Sequence, residues 1–182
     1  TSSGTWNRPS GITKVVMEVQ GAGGGGCKGS SYHQGGGAGG YAKKLLNVSS
    51  ISTSTITVGA GGAGAASGVT ASGTVGGNSI WADGTNTITG NGGAPGTDTN
   101  AYSAGGTGTG GDVNISGQAN GQNPNQSGDS ILGYGGIAAN SADAPTGAKS
   151  GQGYGGGGSA WSGYSIACGS GSGGIVIVWE YK

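Results

Sequence analysis

Apolar residues cluster into short extended segments near both ends of the chain. Residues 13–20 combine β-branched side chains with partial apolar alternation, 41–48 and 53–58 follow with a turn at 48–52 between them, and 175–181 reads Ile-Val-Ile-Val-Trp-Glu-Tyr. Alternation of this kind marks half-buried strands. The four segments predict a small antiparallel sheet built from the N- and C-terminal parts of the chain, with Trp6 and Trp179 over its apolar face. No stretch has the period of a helix, and each interior glycine costs a helix about 1 kcal/mol relative to alanine. Between 61 and 168 the apolar pattern thins to a loose repeat in which glycine and a small polar residue precede Ile, as at Ile80, Ile115 and Ile131.

Glycine runs change this picture. They recur over 21–26, 35–40, 59–64, 90–96, 105–111, 133–136, 153–158 and 169–174, and glycine makes up 49 of the 182 residues. Such runs lose the most backbone freedom on folding and would ordinarily stay disordered. Disordered chains are charge-rich, however, and only 8% of this one is charged. Glycine becomes an asset where backbones stack so closely that a Cβ would collide, as in bundled polyproline-II helices. The expected fold is therefore all-β and glycine-rich, without α-helix, in one domain over 1–182. Residues 1–60 and 169–182 supply a β-strand frame, and 61–168 supply glycine-rich rods joined by variable loops.

Charge and chemistry exclude several functions. The formal net charge is zero, and no Lys, Arg or His occurs between Leu45 and Ala148, so nucleic-acid binding is not expected. The longest apolar run is too short to span a bilayer, and the N-terminal residues do not read as a secretory signal. His33 is the only histidine, which rules out a multi-histidine metal site. No Asp-rich calcium loop and no Gly-x-Ser-x-Gly elbow is present. Neither a cofactor nor a catalytic site is expected. Residues 21–26 formally satisfy Gly-x-Gly-x-x-Gly, but 27–34 cannot open a helix, and Lys43 and Lys44 stand where a ribose-binding acid would be needed.

Cys27 lies seven residues beyond Gln20, and Cys168 lies seven residues before Ile175. If the strands ending there pair antiparallel, both cysteines leave one end of the sheet at equal reach. A disulfide that closes so long a loop would contribute roughly 3–5 kcal/mol; two buried free thiols are the alternative.

The polar loops 30–34, 97–103, 118–127, 138–150 and 159–167 carry Tyr32, His33, Gln34, Tyr102, Asn123, Asn125, Gln126, Trp161 and Tyr164. Tyr and Trp among small polar neighbours give large, rigid contact area at low entropic cost. These nine residues are the candidate binding contacts, with Trp161 and Tyr164 alternatively serving as lids over the glycine layer. Alternate threonines at 53, 55 and 57 and at 85, 87 and 89 form rows. Such rows can match an ice lattice, and glycine-rich polyproline-II bundles occur among antifreeze proteins, so ice binding is the alternative function.

Gly4-Thr5-Trp6-x-x-Pro9-x-Gly11-Ile12-Thr13-Lys14-Val15, the run 21–26, Gly39-Gly40-Tyr41-Ala42-Lys43, and Thr55-Ile56-Thr57-Val58-Gly59-Ala60-Gly61-Gly62 follow one another in order. So do Gly110-Gly111-Asp112-Val113-Asn114-Ile115 and the closing Gly174-Ile175-Val176-Ile177-Val178-Trp179-Glu180-Tyr181. Together these segments resemble the glycine-rich C-terminal tip domain of bacteriophage tail fibres over almost the whole chain. The resemblance implies a sandwich of polyproline-II helices whose loops bind a bacterial outer-surface receptor, either an outer-membrane protein or a polysaccharide. It also implies a place at the tip of a virion tail fibre, outside the cell, joined to the rest of that fibre. Three copies at a fibre end would add avidity of about 10²–10⁴. Residues 138–150 depart from the glycine-run pattern.

Overall fold

The computed structural model describes residues 2–30, 32–99, 101–120, 126–137, 147–161 and 166–182. Its strands, in chain order, are β1 (Gly4–Asn7), β2 (Lys14–Gln20), β3 (Tyr41–Asn47), β4 (Thr53–Thr57), β5 (Ser79–Ala82), β6 (Thr87–Gly90), β7 (Gly108–Thr109), β8 (Val113–Ile115), β9 (Gly133–Tyr134), β10 (Gln152–Gly153) and β11 (Ile175–Tyr181). No helix occurs among the described residues, as expected for a chain so rich in interior glycine.

The strands form two main antiparallel sheets, ordered β1-β4-β5-β6-β7 and β11-β2-β3-β8, with β9 and β10 paired apart. The two sheets face each other across an apolar core. Alternation in β2 turns Val15, Met17 and Val19 inward, where they meet Trp6, Ala42, Val48, Trp81 and Ile88. Trp6 and Trp81 pack with ring centroids 5.0 Å apart and planes tilted by 53°.

Three expectations are corrected here. Segment 53–58 belongs to the sheet opposite the one holding 13–20, 41–48 and 175–181, because its alternation faces the core from the other side. Trp179 does not cover the core: it is 51% exposed on the outer face of its sheet, since its neighbours Val176 and Val178 are the β11 residues packed inward. Residues 61–168 are not rods alone, for they supply β5 to β10. Ile80, Trp81 and Ile88 are the apolar signal for that second sheet.

At one end of the sandwich the strands run on into glycine-rich rods, and the hydrogen-bond pattern defines their geometry. Along 21–28, the N–H groups of Gly21, Gly24 and Cys27 donate to Gly40, Gly37 and Gln34. Those of Ala22, Gly25 and Lys28 donate to Gly77, Thr74 and Ala71, and those of Gly23 and Gly26 to Ser172 and Gly169. Each neighbour is addressed every third residue, which is the three-residue turn of polyproline II. Carbonyls behave alike: those of residues 22 and 25 accept from Gly93 and Gly96, those of 23 and 26 from Gly62 and Ala65, and that of 24 from Gly158. This rod thus has six bonded neighbours, three running antiparallel through its donors and three parallel through its acceptors. A rod hydrogen-bonded on all sides satisfies the backbone groups that burial would otherwise leave unpaired.

At the centre of the rod only glycine permits that spacing. A Cβ on Gly23 would lie 2.0 Å from the Gly156 carbonyl oxygen, one on Gly24 2.1 Å from that of Ala94, and one on Gly25 2.0 Å from that of Ala63. The central rods 21–28 and 34–40 therefore fall in what the sequence marks as the strand frame. Most of the bundle and the sandwich share their segments: β2 to β8 and β11 each run on into a rod, while the rods around β9 and β10 have no strand in either main sheet.

Candidate functional site

Because each segment alternates in direction, the rod bundle gathers its connections at the end away from the sandwich. Strand β2 leads out through 21–28 and β3 returns through 34–40, while β6 leads out through 91–97 and β7 is re-entered from 103–107. The described flanks of all five polar loops meet at this end, together with 66–70.

Two groups of interactions bind these flanks to one another. The first is a small apolar cap of Ala65, Trp161 and Cys168 with Ala71, Ala148 and Ile166. Buried Lys28 crosses it, its ammonium donating to the Ile166 carbonyl. The second is polar. The Asp98 carboxylate accepts from Ser30 N–H and Oγ at 2.8 Å each and from Tyr32 N–H at 2.8 Å. Gln34 Nε2 donates to the Thr99 carbonyl (2.9 Å), its Oε1 accepts from Asn120 Nδ2, and Asn120 Oδ1 in turn accepts from the Ser103 N–H. Loops 30–34, 97–103 and 118–120 are tied into one unit by side chains acting on backbone.

The candidate residues separate accordingly. Tyr32, Tyr102 and Gln126 are exposed, and His33 is half-buried. Gln34 and Trp161 are buried: Gln34 is corrected from contact to support, spending its amide on Thr99 and Asn120, and Trp161 takes its alternative role, a lid in the apolar cap. Asn123, Asn125 and Tyr164 lie outside the described residues. Neither Asp98 nor Asn120 is among the nine candidate contacts. An acid flanked by threonines in a loop is the signal for a carboxylate that receives backbone N–H groups.

Cys27 and Cys168 do meet at this end, and of the two alternatives the structure holds the free thiols, both buried. Cys27 Sγ accepts the Gln34 N–H at 3.4 Å and donates to the Tyr32 carbonyl at 3.6 Å, while Cys168 Sγ lies 2.9 Å from the Cys27 carbonyl oxygen. Burial pushes both thiols above the ordinary thiol value. Among the described residues, no group of three or more His, Cys, Asp or Glu is placed to hold a metal ion.

One family model spans residues 1–179, that of the glycine-rich domain. The chain belongs to this glycine-rich domain family. No curated protein matches it.

A second charged group lies at the other end of the glycine-rich domain, on the outer face of the β11-β2-β3-β8 sheet. Glu18 accepts from Tyr41 Oη at 2.9 Å, Lys43 Nζ at 3.2 Å and Trp179 Nε1 at 3.3 Å. Burial alone would raise its carboxyl, but these donors outweigh that and hold it below the ordinary 4.5. Burial and the Glu18 charge push Tyr41 up to about 12, so it remains a donor. A depressed carboxyl contributes stability that is present above 4.5 and is lost as pH falls through the lower folded value. Glu18→Gln is thus expected to flatten the acid limb of stability measured by denaturant titration between about pH 5 and pH 3. A limb as steep as the wild type's would show that the loss comes from other carboxylates.

Proposed function

We propose that this glycine-rich domain is a non-catalytic adhesin, the tip of a bacteriophage tail fibre that binds a receptor on the bacterial outer surface. The observation carrying the proposal is the convergence of the described flanks of the five polar loops at one end of the bundle, with Tyr32 and Tyr102 exposed beside a network that holds the Tyr32 and Ser103 N–H groups. A platform already ordered before contact reduces the entropic cost of binding. Loop residues can change without touching the rods, which suits recognition of a variable cell surface. The resemblance of the ordered glycine segments to tail-fibre tip domains supplies the biological setting: an extracellular virion protein whose partners are the rest of the fibre and an outer-membrane protein or polysaccharide.

The test is competition. Purified domain is expected to block adsorption of the phage to its host, and Tyr102→Ala and Tyr32→Ala are each expected to weaken the block about tenfold, with thermal stability unchanged. Failure of saturating domain to compete, on any host that the phage adsorbs to, would sink the proposal.

Ice binding is favoured by one separate observation. On the outer face of the β1-β4-β5-β6-β7 sheet, the register aligns Thr5, Thr55, Ala82 and Thr87 in one row and Thr57, Ile80, Thr89 and Thr109 in the next. Strand pairing spaces such rows at about 5 Å across and about 7 Å along the strands. Thermal hysteresis that disappears when Thr55 and Thr87 are replaced would establish that reading instead.

A further inference from the structure

The two cysteines end rods that are hydrogen-bonded neighbours. Gly23 N–H donates to the Ser172 carbonyl and Gly26 N–H to that of Gly169. The same antiparallel register sets Gln20 opposite Ile175 in the strands leading into these rods, and continued outward it sets Cys27 directly opposite Cys168. Backbones joined by such bonds lie roughly 5 Å apart, inside the range of about 4.4–6.8 Å over which Cα atoms of a disulfide are found. Cys168 Sγ already rests against Cys27, at its carbonyl oxygen. Closure also requires the two sulfurs to turn toward each other about their Cα–Cβ bonds.

We propose that Cys27 and Cys168 are a redox site: a dithiol that closes to a disulfide and staples the central rod to the last rod beneath the loops. In closure both thiols lose a proton, and two electrons pass to a small-molecule disulfide such as oxidised glutathione, which leaves as two thiols. Cys168 is the first nucleophile, because it keeps a sliver of exposure (7%) where Cys27 has none (0%). Its thiolate displaces one glutathione, and the Cys27 thiolate then displaces the second from Cys168 to form the Cys27–Cys168 bond. The raised thiols make this slow in the folded protein at neutral pH and faster as pH rises. An extracellular, oxidising setting is where such a bond persists.

Closure has a local consequence. Cys27 Sγ now engages the Tyr32 carbonyl and the Gln34 N–H, so turning it toward Cys168 exchanges a tie to loop 30–34 for a covalent tie to the rod at 168–174. The site stands whether or not the loop end binds a receptor.

The experiment uses the unmodified domain in oxidised glutathione at pH 8.5 (about the ordinary thiol value) and, in parallel, in a phosphine reductant. The oxidised sample is expected to lose two hydrogens in intact mass and to yield tryptic fragments 15–28 and 150–182 joined. Its thermal midpoint should exceed that of the reduced sample by about 5 °C or more. Cys27→Ser and Cys168→Ser, each compared with itself in the two buffers, should show no linked fragments and no difference. Two alkylatable thiols in the denatured oxidised sample would overturn the proposal. So would a glutathione adduct on Cys168 without linked fragments, or a crosslink that lowers the midpoint.

Discussion

Gly25→Ala is expected to prevent folding. The new methyl carbon would stand 2.0 Å from the Ala63 carbonyl oxygen, 2.3 Å from its carbon and 2.7 Å from the Gly64 nitrogen. All three are backbone atoms, so no side chain can turn aside. The two rods would have to separate, and each is held by other rods: the 21–28 rod donates to Gly37 and Ser172, while Ala63 accepts from Thr74 and Gly62 from Gly171. Overpacking that side chains can relieve costs about 1–3 kcal/mol; a backbone collision at the centre of the bundle should exceed about 4 kcal/mol. Gly4→Ala is the control. Nothing lies within 4 Å of a Cβ there and no left-handed φ is required, so the change should be neutral or stabilise by up to about 1 kcal/mol through the unfolded chain. Comparing the two by denaturant unfolding separates glycine as a spacer from glycine as filler. Equal stability of the variants would refute the close-packed bundle.

Trp81→Ala is expected to cost about 3–5 kcal/mol. The side chain is wholly buried, packs at a tilt against Trp6 and sits opposite Ile88 in the register between β5 and β6. Its removal leaves a cavity where the two sheets meet, in a molecule whose rods contribute few side chains to any core. Trp179→Ala removes an indole of the same size from the outer face, where it is half exposed, and should cost no more than about 1 kcal/mol. Urea unfolding of both variants measures the contrast. A small effect at Trp81 would mean that the sandwich core adds little to stability and that the rod bundle holds the domain together alone.

The absence of helix among the described residues, the terminal strands and the requirement for closely spaced backbones were all legible in residue order. Each follows from local chemistry: periodicity, β-branching, and the missing Cβ. Strand assignment failed where that chemistry is ambiguous. A short stretch such as Ser79-Ile80-Trp81-Ala82 between glycine runs looks like an interruption of a rod until a partner such as β6 shows it to be a strand. The positions of Trp179 and Gln34 were misjudged, and Trp161 stayed open between contact and lid, for a related reason, since a side chain's face depends on register with distant strands and rods. Equal reach of Cys27 and Cys168 was readable, because an antiparallel pair converts equal sequence offsets into one level. Whether their sulfurs bond was not.

Composition by itself determined what this protein is made of: extended backbone throughout, glycine as the spacer, and loops bearing aromatic and amide side chains. Tertiary structure alone decided that β2 to β8 and β11 each run on into a rod, and so which connections share an end. That outcome depends on hydrogen bonds between residues as distant as Gly23 and Ser172, whose pairing no local pattern encodes, because one glycine is chemically the same as the next.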